Sequence, residues 1–91
     1  MNYRVVPESM VTAWAGNRLL VFLRDEESTH LLSPEAGLSL SVLVERAGFP
    51  LGAGDVARAW PGGAPPPHQG ELLQLLEGLA RAGIIEQCPR H

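Results

Sequence analysis

The chain has 91 residues, enough for one domain with a lean core, and its hydrophobic (45%) and charged (19%) fractions are those of ordinary globular proteins. Its net charge is −3 and its seven basic residues are scattered arginines, which argues against a nucleic-acid partner. The longest apolar run, LLVFL, is far shorter than the ~20 residues of a membrane span, so we expect no membrane partner. The single cysteine, Cys88, excludes an internal disulfide and fits a reducing compartment, so we expect a cytoplasmic protein.

The first third of the chain contains the strand signals. Tyr3–Val6 is a candidate short strand that Pro7 ends. Three further runs of β-favouring residues lie at Val11–Trp14, Leu19–Arg24 and Thr29–Leu32, separated by the turn-forming segments AGNR and DEES. This spacing predicts a three-stranded antiparallel meander. Apolar residues occur on both faces of the middle strand, and one face is expected to meet helices.

A helix is predicted to begin at Pro34, because Ser33 can cap it and proline fits the first helical position. Gly48 is placed to end this helix in a left-handed cap. The small residue Gly37 lets the first turn approach the sheet closely, although it costs ~1 kcal/mol of helix propensity. The apolar face at helical spacing comprises Ala36, Leu40, Leu43, Val44 and Ala47.

Two more helices are predicted, at about Gly54–Trp60 and over Glu71–Gly83, with a stiff proline loop between them. The last helix has a core stripe of Leu72, Leu75, Leu76, Leu79 and Gly83, with Leu73, Glu77, Ala80 and Arg81 off its centre. Ile84–Ile85 could add a short strand. We expect one domain over residues 1–91, with 86–91 as a flexible tail.

The segment GAGDVA, Gly52–Ala57, has the letters of a dinucleotide-binding turn. That motif must follow a strand and open a βαβ unit, whereas here a helix precedes it and too little chain follows. The segment is better interpreted as a loop and helix start, with Asp55 near the N-cap.

Other candidate sites also have simpler interpretations. Cys88 and His91 could offer two metal ligands, but structural zinc needs four, and a frayed C-terminal tail is favoured. His30 has no evident partner for general-base catalysis, and Trp14 and Trp60 are expected to fill the core rather than stack on a ligand. We therefore predict neither catalytic nor metal-binding residues, and no cofactor.

The remaining feature is an edge strand. Thr29–Leu32 would end the meander, and a free edge exposes N–H and C=O groups that are either protected or used. Using them means adding a strand from a partner, with side-chain pockets supplied by a neighbouring apolar helix. Leu73, Leu76, Ala80 and Arg81 are candidates for that helix surface. In the alternative interpretation, Leu73 and Ala80 only widen the core face.

These elements in combination resemble the PqqD-like family, also called the RiPP recognition element. The resemblance covers about Trp14–Ile85 and depends on the LLVF strand, the acidic turn, THLLSPEAG, the helix ending at Gly48, and the last helix LLQLLEGLARAGII. Within that family it points to the small PqqD relative encoded with HPr-kinase-related proteins. The long proline loop, 61–70, departs from the family pattern.

The resemblance implies an α+β fold: a winged helix-turn-helix with a three-stranded antiparallel sheet followed by three helices. It implies a non-catalytic chaperone that binds a precursor's leader peptide as an added strand and presents it to a peptide-modifying enzyme or an HPr-kinase-related protein. By position, the peptide-binding residues would be Thr29, His30, Leu31, Leu32, Leu73, Leu76, Glu77, Ala80 and Arg81.

Two other functions remain open. The edge strand could pair with its own copy in a homodimer or dock on a partner enzyme, which would make the chain a structural or regulatory subunit. DNA binding is compatible with a helix-turn-helix, but the last helix has Arg81 as its only basic residue and the net charge is −3.

Overall fold

The computed structural model describes residues 1–46, 48–63 and 65–88. In chain order the elements are β1 (Asn2–Arg4), a 3-10 turn (Pro7–Ser9), β2 (Met10–Ala15), β3 (Arg18–Leu23), β4 (Ser28–Leu32), α1 (Pro34–Glu45), α2 (Ala53–Arg58), α3 (Gln69–Arg81) and β5 (Glu86–Cys88). The predicted α+β class, with a three-stranded antiparallel sheet and three helices, is confirmed.

The strands β2, β3 and β4 form the predicted meander, in that order across the sheet. Ala15 pairs with Arg18 across a two-residue turn that contains Gly16, whose φ is +65°. Alternate residues of β3 are buried under the helices, and the others are exposed. The exposed set continues onto β2 and β4 and forms what we call the outer sheet face: Val11, Leu20, Phe22 and Leu31.

Helix α1 begins where the sequence predicts. The Ser33 hydroxyl oxygen accepts a hydrogen bond from the Ala36 N–H at 3.3 Å, and Pro34 is the first helical residue. Gly48 follows the helix with φ +88°, the left-handed conformation expected of it. Of the predicted apolar face, Ala36, Leu40 and Leu43 are buried and Val44 is partly buried, while Ala47 lies outside the described residues.

The first turn of α1 lies unusually close to the sheet at Gly37. A Cβ atom built on Gly37 would lie 2.9 Å from the Leu19 Cβ and 3.1 Å from the Trp14 Cη2. Real Cβ atoms essentially never approach this closely, so only glycine fits here without displacing the helix. The close approach predicted for this residue is confirmed.

Two residues after the end of α3 lies a glycine that the sequence analysis placed in the core stripe. Gly83 is exposed and has φ +80°, and its N–H donates to the Ala80 oxygen at 3.0 Å. The Ile84 N–H donates to the Leu79 oxygen, also at 3.0 Å. These two bonds form a Schellman cap, so assigning Gly83 to the core was wrong: it turns the chain instead. Leu72, Leu76 and Leu79 are buried, as predicted.

The two ends of the described chain pair with each other. β1 and β5 form a separate antiparallel sheet in which Tyr3 opposes Gln87, and Arg4 forms an ion pair with Glu86 at 3.0 Å. The strand predicted at Ile84–Ile85 therefore begins two residues later, because both isoleucines turn into the core. Glu86–Cys88, which the sequence analysis assigned to a tail, are a paired strand, and residues 89–91 lie outside the described ranges.

A hydrophobic cluster joins the inner sheet face to the helices, and it includes Tyr3, Leu40, Leu43, Leu72 and Leu76. Each of these side chains is fully buried. No helix in the described part of the chain is long and apolar enough to cross a lipid bilayer.

We expect Gly37→Ala to destabilise the protein by about 1–2 kcal/mol, because the strain of the added methyl group exceeds the ~1 kcal/mol gain in helix propensity. The matched control is Gly78→Ala in α3, where a Cβ would meet nothing within 4 Å. This control should raise the free energy of unfolding by up to about 1 kcal/mol. Urea unfolding measures both changes, and an equal gain in stability for the two variants would contradict the contact at Gly37.

Candidate functional site

Strand β4 forms one edge of the meander. Within the described residues it pairs with β3 alone. The Arg24 N–H donates to the Ser9 oxygen at 2.9 Å, which continues the β2–β3 ladder by one residue pair. The backbone groups of successive residues in a strand point to opposite sides. Because Arg24 bonds to the β2 side, the even-numbered residues of β3 direct their N–H and C=O groups toward β2. The odd-numbered residues direct theirs toward β4.

This alternation decides which groups of β4 are available at the edge. His30 and Leu32 oppose Val21 and Leu19, so their N–H and C=O groups are used in the ladder with β3. Thr29 and Leu31 lie between these pairs and direct their N–H and C=O groups away from the sheet. A strand laid along β4 would therefore bond to Thr29 and Leu31.

A groove of about 490 Å³ separates this edge from α3. Thr29, His30, Leu31 and Leu32 form its strand side, and Ala36 and Ile84 also line it. Its helix side consists of residues that recur at helical spacing: Gln74, Leu75, Gly78, Leu79 and Ala82. Gly78 leaves open space above the helix backbone, which widens the groove at its middle.

The structure thus brings the four predicted strand residues together, but with a different set of helix residues. Leu76 is fully buried in the core, and Leu73 is exposed outside the groove. Glu77, Ala80 and Arg81 line a second depression, beside β5, together with Met1 and Ile85. The predicted helix residues therefore lie in the buried stripe of α3 or on the flank of that stripe opposite the groove.

The histidine and the two tryptophans have different surroundings. His30 is partly buried, and its Nε2 lies 3.3 Å from the Ser28 hydroxyl oxygen. Trp60 is partly buried against the core, which fits the predicted packing role. Trp14 is 48% exposed and covers Gly37 from the edge of the sheet, so the prediction that it fills the core was wrong.

The GAGDVA segment forms the start of α2. The Asp55 carboxylate accepts a hydrogen bond from the Gly52 N–H at 3.0 Å and forms an ion pair with Arg58. These contacts, led by the bond from Gly52, hold the pKa of Asp55 below its usual value. The interpretation of this segment as a loop and helix start is confirmed.

Among residues 1–46, 48–63 and 65–88, no three histidine, cysteine or acidic side chains are grouped so that they could hold a metal ion. Cys88 is partly buried in β5. Its candidate co-ligand His91 lies outside these ranges.

Comparisons with known proteins yield one informative likeness. No protein-family model matches the sequence, and no curated protein matches it. The fold is similar to that of a solved structure described as TbiB1 in complex with the TbiA(beta) leader peptide. The TM-score is 0.66 at 12% sequence identity, over 94% of this chain and 99% of that one. The two chains share a fold.

The assigned backbone directions can be tested with two neighbouring prolines. His30→Pro removes a ladder hydrogen bond to β3 and should lower the free energy of unfolding by at least about 1 kcal/mol more than Leu31→Pro, which removes an outward N–H. Urea unfolding of both variants measures the difference. Equal losses, or a larger loss for Leu31→Pro, would contradict the assignment.

A second prediction concerns Asp55. Because folding lowers the pKa of its carboxyl, ionised Asp55 stabilises the fold at neutral pH, and this stabilisation is lost as the pH falls below 3.8, the ordinary pKa of the group. Asp55→Asn should therefore cost about 0.5–1 kcal/mol at pH 7 and little at about pH 2.5. Urea unfolding at both pH values checks this. Glu8→Gln is the control, because Glu8 is exposed and outside the side-chain hydrogen bonds and ion pairs of the described residues.

Proposed function

We propose that this chain is a non-catalytic adaptor that binds the leader segment of a precursor peptide by adding it as a strand to β4. The observation that carries the proposal is the outer edge of β4, which no other described strand covers, beside an apolar groove. Thr29 and Leu31 offer two N–H and C=O pairs to an incoming backbone. A peptide bound there gains main-chain hydrogen bonds that do not depend on its sequence.

Selectivity would come from the groove. Alternate side chains of an added strand point to opposite sides, so every second residue of the peptide would enter the space between β4 and α3. Leu75, Leu79 and Ala82 give that space an apolar helix side, and Gly78 provides depth. We therefore propose these helix residues, with Gln74, in place of the five expected from the sequence.

The shared fold supports this function. TbiB1 is described as bound to a leader peptide, and its fold covers nearly all of this chain. The sequence resemblance to the PqqD-like family points the same way independently of that structure. We assign the meander and three helices to the winged helix-turn-helix arrangement of that family.

We further propose that the bound leader is presented to a peptide-modifying enzyme or an HPr-kinase-related protein. The outer sheet face is a candidate docking surface, because Val11, Leu20 and Phe22 are exposed and Leu31 is 54% exposed. An added strand would extend this face by one strand, so an enzyme docking there would contact the leader and the adaptor together.

A homodimer is the second candidate, and the same free edge favours it. Two β4 edges could pair with each other, which would fill the position proposed for the peptide. DNA binding has less support: of the described arginines, Arg4 and Arg58 are in ion pairs, and α3 has Arg81 alone.

The proposed function predicts a localised NMR response. Isotopically labelled protein titrated with peptides tiled across the small open reading frames beside its gene should show shifts at residues 29–32 and 74–82. Leu31→Pro should weaken binding by about tenfold through loss of one backbone hydrogen bond and a clash with the incoming strand, and Leu31→Ala, which keeps the N–H, should weaken it much less.

The two flanks of α3 offer a matched control. Gly78→Leu fills the groove and should abolish binding, whereas Glu77→Leu changes the neighbouring exposed residue on the other flank and should leave affinity within about twofold. Binding that is lost in Glu77→Leu and kept in Gly78→Leu would place the peptide on the other flank. Light scattering with and without peptide tests the homodimer alternative, because a dimer paired through β4 should dissociate when peptide binds.

A further inference from the structure

A third cavity, which we call the end pocket, continues the groove past the last residue of β4. It has a volume of about 610 Å³ and shares Gln74 and Leu75 with the groove. Pro34 and Glu35, which begin α1 one residue after the end of β4, line its near side. A peptide strand that runs along β4 and continues beyond Leu32 would therefore enter the end pocket.

The end pocket has an apolar lining. Leu38 of α1, Trp60 after α2 and Pro67 of the proline loop line it, and all three are partly buried. Leu75 adds a side chain from α3. Proline restricts its own backbone, so the loop side of the pocket is stiff and largely formed before binding. This lining suits an aliphatic stem or an aromatic ring.

Two carboxylates stand in this apolar surface. Glu35 lies in the first turn of α1 and Glu71 in the first turn of α3, and both are exposed. Neither takes part in the ion pairs found in the described residues, which join Arg4 to Glu86 and Arg58 to Asp55. No basic residue is among the described residues that line the end pocket. The pocket therefore combines an apolar surface with a net negative charge.

We propose that the end pocket binds a long basic side chain, lysine or arginine, of the peptide that lies along β4. The aliphatic stem packs on Leu38, Trp60 and Pro67, and the cationic head meets Glu35 and Glu71. An acidic or short polar side chain complements neither the apolar lining nor the two carboxylates. The inference rests on the proposed function, since the peptide must follow β4 to deliver this residue.

The assignment makes the recognised peptide bipartite. One part is an extended segment whose alternate apolar residues enter the groove, and the other is a basic residue just beyond it. An added strand antiparallel to β4 would place the basic residue before the extended segment, and a parallel strand would place it after. The backbone bonds fix the register, and the charge pair then selects among peptides in that register.

Selection from a random peptide library by mRNA display tests this. Wild-type protein should enrich peptides with lysine or arginine at one fixed spacing from an apolar alternating segment. The double variant Glu35→Gln, Glu71→Gln should lose the preference for lysine or arginine. It should bind the peptides enriched by wild-type protein about fivefold to tenfold more weakly. Glu77→Gln, on the other flank of α3, is the matched control and should keep both properties.

The outcomes separate the two proposals. Enriched peptides that depend on the Leu31 N–H but show no basic preference, or that bind the double variant unchanged, overturn the inference and leave the proposed function standing. A library in which wild-type protein enriches no peptide overturns both. Thermal melting of the double variant confirms that any loss of binding is not a loss of fold.

Discussion

The contact between the first turn of α1 and the sheet at Gly37 determines how the rest of the molecule is placed. α1 packs against β3, β4, α2 and α3, so it connects the sheet to both other helices. Its close approach is possible because residue 37 has no side chain in the space occupied by Leu19 and Trp14. The neighbouring residue Ala36 lines the groove. The depth of the groove therefore depends on how far α1 stands from the sheet.

Features encoded by neighbouring residues could be predicted from the sequence. The Ser33-Pro34 start of α1, the left-handed backbone of Gly48 and the two hairpins each depend on the local backbone preferences of a few residues, and all occur where the sequence places them. Periodicity cannot distinguish a glycine that packs in the core from a glycine that ends a helix, however. Gly83 falls at core spacing in α3, but its freedom to adopt positive φ makes it the end of the helix.

The helix side of the groove could not be predicted from the sequence. Periodicity identifies the buried stripe of α3, and both flanks of that stripe contain small and apolar residues: Leu73 and Ala80 on one, Leu75 and Ala82 on the other. Which flank faces β4 depends on how the proline loop returns the chain after α2, and no local signal encodes that. The strand half of the site is independent of this ambiguity, because an edge strand presents the same backbone whichever flank lies opposite.

The pairing of β1 with β5 has a consequence for how the chain reaches its fold. Tyr3 and Gln87 are partners in space although almost the whole sequence separates them, whereas each hairpin of the meander closes over a short turn. During synthesis the meander and α1 can form while β5 is still unmade, but the pairing of β1 with β5 must wait for that last strand. Tyr3 also exchanges two backbone hydrogen bonds with Leu51, at 2.7 and 2.8 Å, so β1 can dock beside the start of α2 first and acquires its second partner when β5 is made.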